Sequence, residues 1–201
     1  MSTHITKLVI LGRDGILNRY REDHVKSPEQ WIAIDGAIEA VARLNHGGWH
    51  TVVATNQAGI GRGAIDMASL NAIHVEMNRQ MMREGARLDA VFFCPHTPEQ
   101  GCECRKPLPG MMLDIARRYA VDLHQVPLVS DTLRDLLAAK AAGCQPHLVK
   151  SGRAANFGDD ELARIRALVP ATRVHANLGA FAEALLADDA ALHAHGHGHA
   201  G

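Results

Sequence analysis

Apolar residues recur along this chain in two alternating spacings. The first is a short unbroken run, Leu8-Val9-Ile10-Leu11, which follows Lys7 and is halted at Gly12-Arg13-Asp14-Gly15. A run of that kind predicts a strand buried on both faces, as in a parallel sheet. The second is the three- and four-residue step of Ala37, Ile38, Val41 and Leu44, which predicts an amphipathic helix over residues 36–45 stopped by Gly47-Gly48. The alternation continues with strands at 51–54, 90–93, 126–129 and 147–149 and helices at 70–82, 110–119, 133–142 and 178–187. Strand and helix taking turns in this way specify an α/β chain. The expected architecture is a Rossmann-like three-layer α/β/α sandwich with a mostly parallel central sheet, and its ligand crevice lies beyond the carboxyl ends of the strands.

Composition narrows the picture. Hydrophobic residues at 47% and charged residues at 21% exclude a disordered or fibrous chain, and 201 residues supply one core. Acids (22) and bases (21) nearly cancel, so no net field draws the chain to nucleic acid or an anionic membrane. No apolar stretch approaches the ~20 residues needed to cross a bilayer, and the first residues lack a signal-peptide core, so the expected compartment is the cytoplasm. The domain is expected over residues 1–187. The Ala/His/Gly-rich segment 188–201, with alternating His193, His195, His197 and His199, is expected to form an unpacked tail.

Four polar clusters fall where strands end: Arg13-Asp14-Gly15, Thr55-Asn56-Gln57, Arg105-Lys106-Pro107, and Ser130-Asp131 with Asp135. Taken singly, Asp-Gly is a turn and Thr-Asn a helix cap. Together at one sheet edge they describe a site for phosphoryl chemistry, with carboxylates for a hard cation, a hydroxyl and amide for phosphate oxygens, and a lysine against their charge. Between the third strand and Arg105 lie Cys94, His96, Cys102 and Cys104. Three thiolates and an imidazole within eleven residues make a tetrahedral zinc shell, and three cysteines cannot all pair as disulfides. Cys144 reads as a small buried hydrophobe.

The order and wording of these motifs resemble the haloacid dehalogenase (HAD) phosphatase superfamily. The likeness is to its small cap-less branch with a zinc-binding loop, which contains heptose bisphosphate and histidinol-phosphate phosphatases. It runs from about Leu8 to Val149 and includes Lys26-Ser27-Pro28, Ala54-Thr55-Asn56-Gln57-Ala58-Gly59-Ile60-Gly61-Arg62-Gly63, Cys104-Arg105-Lys106-Pro107-Leu108-Pro109-Gly110-Met111 and Asp131-Thr132-Leu133-Arg134-Asp135.

By resemblance, Asp14 is the general acid/base, and Lys106 stabilises charge on the phosphoryl group. Thr55, Asn56, Gln57, Arg105 and Lys106 bind substrate. Catalytic Mg²⁺ is held by Asp131 and the Asp14 backbone carbonyl, with Asp135 orienting Asp131. Zn²⁺ in the cysteine loop is structural.

The departure is Gly12, at the position of the family's nucleophilic aspartate. It removes the attacking carboxylate and one metal ligand, so that Mg²⁺ binding is weakened. Three readings follow. One is a monomeric, cytoplasmic phosphatase acting on a small phosphorylated sugar, in the heptose branch that leads to bacterial lipopolysaccharide, with its aspartyl-phosphate step impaired. The second is a histidinol-phosphate phosphatase, and the third a non-catalytic phosphate-ester-binding pseudophosphatase.

Overall fold

The computed structural model describes residues 6–195. Among them are the strands β1 (Leu8–Leu11), β2 (His50–Asn56), β3 (Ala90–Cys94), β4 (Pro127–Ser130), β5 (Gln145–Val149) and β6 (Arg173–His175). All pair in parallel, in the order β3-β2-β1-β4-β5-β6. The helices are α1 (Ala37–His46), α2 (Ala58–Gly61), α3 (Met67–Arg83), α4 (Gly110–Tyr119), α5 (Leu133–Ala142), α6 (Asp159–Leu168) and α7 (Leu178–His195).

Parallel pairing needs crossover helices, and these cover both sheet faces, which is why the strands are apolar without alternation. Leu8, Ile10, Val52 and Ala54 face Met111, Met112 and Ile115 of α4 and Ala138 and Ala139 of α5. Val9, Leu11 and Val53 face the other way, onto α1, α3 and α7 through Val41, Leu44, Ile73, Met77 and Phe181. Each large aliphatic side chain so buried contributes about 1.5–3 kcal/mol.

Chain order reverses between β1 and β4. Leu11 lies beside Val53 on one flank and Val129 on the other, so the loops after β1, β2 and β4 emerge side by side. That is the topological switch point, where crevices form in open α/β sheets.

Besides the single-turn helix α2, two elements were not legible in the pattern. Strand β6 has three residues, two of them exposed at the sheet edge, so it presents no apolar run. Helix α6 opens on Asp159-Asp160-Glu161 and buries only Ile165 fully, so its periodicity is faint.

A third difference is a correction. The last helix does not give way to an unpacked tail after Ala187 but continues to His195. Alanine and leucine are strong helix formers, and two ion pairs bind the extension: Lys7 Nζ to Asp189 at 2.6 Å and Arg173 to Asp188 at 2.9 Å. His197 and His199 lie outside the described residues.

Candidate active site

The loop after β1 turns tightly. Backbone N–H groups of residues 16, 17 and 18 converge on the Arg13 carbonyl, which aims the Asp14 carboxylate back across the sheet edge. One oxygen of that carboxylate accepts from Arg13 Nη2 (2.9 Å) and Asn18 Nδ2 (3.0 Å), the other from Gln57 Nε2 (2.9 Å). Burial alone would raise the Asp14 pKa. The Arg13 charge and the hydrogen bonds from Asn18, Arg13 and Gln57 outweigh it and hold the group below the ordinary carboxylate range. Asp14 is therefore ionised at neutral pH, while its side chain stays 20% exposed to an incoming ligand. Arg13 is buried and points inward, with Nη1 3.2 Å from His74 Nε2.

From β2, Gln57 Nε2 also reaches Thr55 Oγ1 at 3.0 Å, tying the second cluster to the first. Gln57 thus spends its amide on Asp14 and Thr55. Asn56 does something different: its side chain exchanges two hydrogen bonds with the Lys106 backbone, at 3.0 and 3.1 Å. This pair holds the third cluster against the second. Lys106 Nζ donates to Ala54 O and to Asp135 Oδ2, both at 2.8 Å, which leaves one of its three protons for a ligand.

Asp135 stands in the first turn of α5. Its backbone N–H is capped by Thr132 Oγ1, and its carboxylate also accepts from Ser130 Oγ at 2.9 Å and Arg134 Nε at 3.2 Å. Burial would raise its pKa, but the Lys106 and Arg134 charges and these hydrogen bonds hold it ionised. Asp135 therefore anchors Lys106 directly.

The four clusters line or adjoin a cleft of about 200 Å³ bordered by Asp14, Tyr20, Arg21, Glu22, His24, Asn56, Ala58, Arg62, Arg105, Arg134 and Arg153. Five arginines against two carboxylates make it a cationic receptacle. Arg62, Arg134 and Arg153 join the expected site residues there. For Arg153 a signal existed, since Ser151-Gly152-Arg153 follows a strand end.

Gly12 sits one residue beyond β1 and continues its ladder, donating to Val129 O at 3.1 Å. A Cβ added there would lie 3.1 Å from Ile16 Cγ1 and 3.7 Å from Val129 O. A side chain is thus accommodated once Ile16 yields by a few tenths of an ångström.

The oxygens expected to hold Mg²⁺ are otherwise engaged. Arg153 donates to both oxygens of Asp131 and to the Asp14 carbonyl. Gly12 offers no donor. A small cation that demands near-octahedral oxygen coordination is not fitted by this arrangement.

The cysteine loop does fit a metal. Cys94, His96, Cys102 and Cys104 present ligand atoms that all lie within 4.8 Å of one another, with S···S separations of 3.1 and 3.6 Å from Cys94. Tetrahedral zinc with 2.3 Å metal–sulfur bonds has edges of about 3.8 Å, close to these values. Cys104 directly precedes Arg105, whose Nη1 lies 3.3 Å from the His96 carbonyl. Cys144 is buried, with its thiol pushed up to about 12 by burial.

Comparison with known proteins gives the family. A HAD-hydrolase-like family model matches residues 103–180. A D-glycero-beta-D-manno-heptose-1,7-bisphosphate 7-phosphatase of Bordetella bronchiseptica is 53% identical over 180 residues, covering 90% of this chain and 98% of that protein. One of the same name from Pseudomonas aeruginosa is 46% identical, covering 73% and 82%. Among solved structures, the D,D-heptose 1,7-bisphosphate phosphatase of B. bronchiseptica, complexed with magnesium and phosphate, superposes with a TM-score of 0.85 at 51% identity, covering 91% of this chain and 99% of that one. With its parallel sheet, its strand-end clusters and these relatives, the chain belongs to the heptose-bisphosphate phosphatase family of HAD-like hydrolases.

Proposed function

We propose that the cleft binds the phosphate monoester of a small phosphorylated sugar, of the heptose 1,7-bisphosphate type its relatives are named for, and that its covalent step is impaired at Gly12. One observation carries this reading: two hydrogen-bonded chains, Asp14–Gln57–Thr55 and Asn56–Lys106–Asp135, set a base, a hydroxyl and an ammonium at the sheet edge beside one cationic cleft. Thr55, Asn56 and Gln57 frame the phosphoryl group, Arg105 and Arg62 meet the distal part of the substrate, and Lys106 neutralises the phosphoryl oxygens. Asp14 passes a proton taken from solvent to the sugar oxygen that leaves, while a water attacking phosphorus in line from the opposite, Gly12 side gives its proton up to solvent, so that alcohol and phosphate result. Without a carboxylate at position 12 no aspartyl phosphate forms, and losing a covalent nucleophile costs on the order of 10⁴–10⁶ in turnover. Zinc in the cysteine loop is structural, and the cytoplasm is the compartment that keeps those thiols reduced.

The test is phosphate release from heptose 1,7-bisphosphate with Mg²⁺, comparing the chain with its Gly12→Asp variant and running histidinol phosphate in parallel. The expected result is binding of the bisphosphate by both proteins, with turnover raised at least ~10²-fold in Gly12→Asp. Equal turnover by both would remove position 12 from the nucleophile role, and preference for histidinol phosphate would move the substrate to the other branch.

A further inference from the structure

Arg153 lies on a short turn after β5, and its surroundings are built to receive it. Ser151 Oγ donates to Gly15 O at 2.8 Å, docking the turn onto the loop that follows β1. Gly15 (φ 79°) and Gly152 (φ 49°) make the approach possible. A Cβ on Gly15 would come within 2.0 Å of Asp131 Oδ2, and one on Gly152 within 2.4 Å of Gly15 Cα and 2.6 Å of the same carboxylate. Through this gap Arg153 reaches Asp131, whose side chain is 1% exposed. Oδ2 accepts from the Arg153 backbone N–H at 2.8 Å and from Nε at 3.0 Å, and Oδ1 accepts from Nη2 at 2.9 Å. The same Nη2 donates to the Asp14 carbonyl at 3.0 Å. The other face of the guanidinium stacks on Tyr20, 4.6 Å from the ring centroid.

A cationic nitrogen therefore bridges the carboxylate and the carbonyl that the resemblance reserves for a divalent metal. Charge accounting supports the exchange. Two carboxylates with a dication and one carboxylate with a guanidinium are both neutral, so Arg153 balances the charge of the site that Gly12 leaves with one carboxylate. Arginine suits the place because it is always charged and its planar fork meets a carboxylate in two hydrogen bonds.

We propose that Arg153 is a resident cation standing where this family's metal would bind, and that the cleft consequently captures a phosphate monoester dianion without Mg²⁺. The inference rests on the phosphomonoester reading for its ligand. Its metal half is independent of that reading.

Two titrations on the zinc-loaded protein test it. Mn²⁺ binding, read by electron paramagnetic resonance, compares the unmodified chain with Gly12→Asp/Arg153→Met, each with and without Asp131→Asn. The unmodified protein is expected to titrate identically with and without Asp131→Asn, which subtracts any ion held elsewhere. The double variant is expected to gain an Asp131-dependent site binding at least ~10-fold tighter. Calorimetry with inorganic phosphate, in metal-free buffer and with Mg²⁺, is expected to give the unmodified chain one affinity, unchanged within about twofold. Arg153→Met is expected to weaken metal-free binding by about 10-fold or more, on the scale of a lost charge-assisted pair. Asp131-dependent Mn²⁺ binding by the unmodified protein, a measurement that needs no variant at residue 153 to fold, would overturn the proposal. So would undiminished metal-free phosphate binding by a folded Arg153→Met. Failure of every variant to bind phosphate, with the Mn²⁺ result as expected, would overturn the phosphomonoester reading and leave Arg153 as the metal's replacement.

Discussion

At the scale of single residues, the site is held by charges that depend on one another. Lys106 and Asp135 are both nearly inaccessible, with side chains 4% exposed, and meet at 2.8 Å. Taking two charges out of water costs several kcal/mol per ion, and their mutual attraction and their neighbours, Ala54 O, Ser130 Oγ and the Arg134 guanidinium, offset it. Lys106→Met is therefore expected to destabilise the fold by about 3–5 kcal/mol in urea unfolding, because it strands the Asp135 carboxylate. Lys106→Met/Asp135→Leu is expected to be more stable than Lys106→Met alone, although neither will bind phosphate well. Equal destabilisation in single and double variants would show that the pair contributes packing rather than charge compensation. Asp14 is arranged differently. Its three hydrogen-bond donors keep it ionised and aimed while leaving it reachable, the disposition a base requires.

At the scale of elements, the sheet sets the spacing and the loops supply the chemistry. Strands β1, β2 and β4 fix where Gly12, Thr55 and Ser130 emerge, whereas the Arg105-Lys106 segment belongs to no strand and needs another anchor. The cysteine loop and the two Asn56 hydrogen bonds provide it. Cys102→Ser, or zinc removal by a chelator, is expected to lower the melting temperature and weaken phosphate binding together, since a structural zinc contributes folding free energy and the ligand Cys104 adjoins Arg105. Differential scanning fluorimetry with and without added Zn²⁺ measures the first effect and calorimetry the second. Unchanged phosphate affinity in the zinc-free protein would uncouple the loop from the cleft. Helix α7 shows the reverse relation. Its extension past Ala187 carries ion pairs from Lys7, at the other end of the chain, and from Arg173 of β6, contacts that local composition does not encode.

At the scale of the molecule, one buried and one half-buried imidazole set an acid limit on stability. His147 packs beside His175 and Phe181, and burial, reinforced by the nearby His175 and Arg173 charges, lowers its pKa from 6.5 to about 3. His74 is lowered to about 4, first by burial and then by Arg13. A folded-state pKa below the unfolded value means that the unfolded chain binds more protons below pH 6.5, so stability is complete above that pH and falls as pH drops toward these values. His147→Leu is expected to shrink the stability difference between pH 7 and pH 5 by about 2 kcal/mol in urea titrations, and no change would show that His147 is already free to protonate.

Alternating apolar runs and helical spacings by themselves determined the α/β class, five of the six strands and the polar clusters at their ends, because packing against helices on both sheet faces leaves an apolar imprint along a strand. Ligand type and spacing likewise determined the zinc loop. What Asp135, Gln57 and Arg153 do was decided only by the tertiary structure. Each acts through a partner 22 to 43 positions away in the chain, Asp135 on Lys106, Gln57 on Asp14 and Arg153 on Asp131, and no local pattern encodes such a contact. Gly12 is legible as a missing carboxylate, but only the packing of three strand-end loops shows a guanidinium close enough to replace the cation that carboxylate would have held.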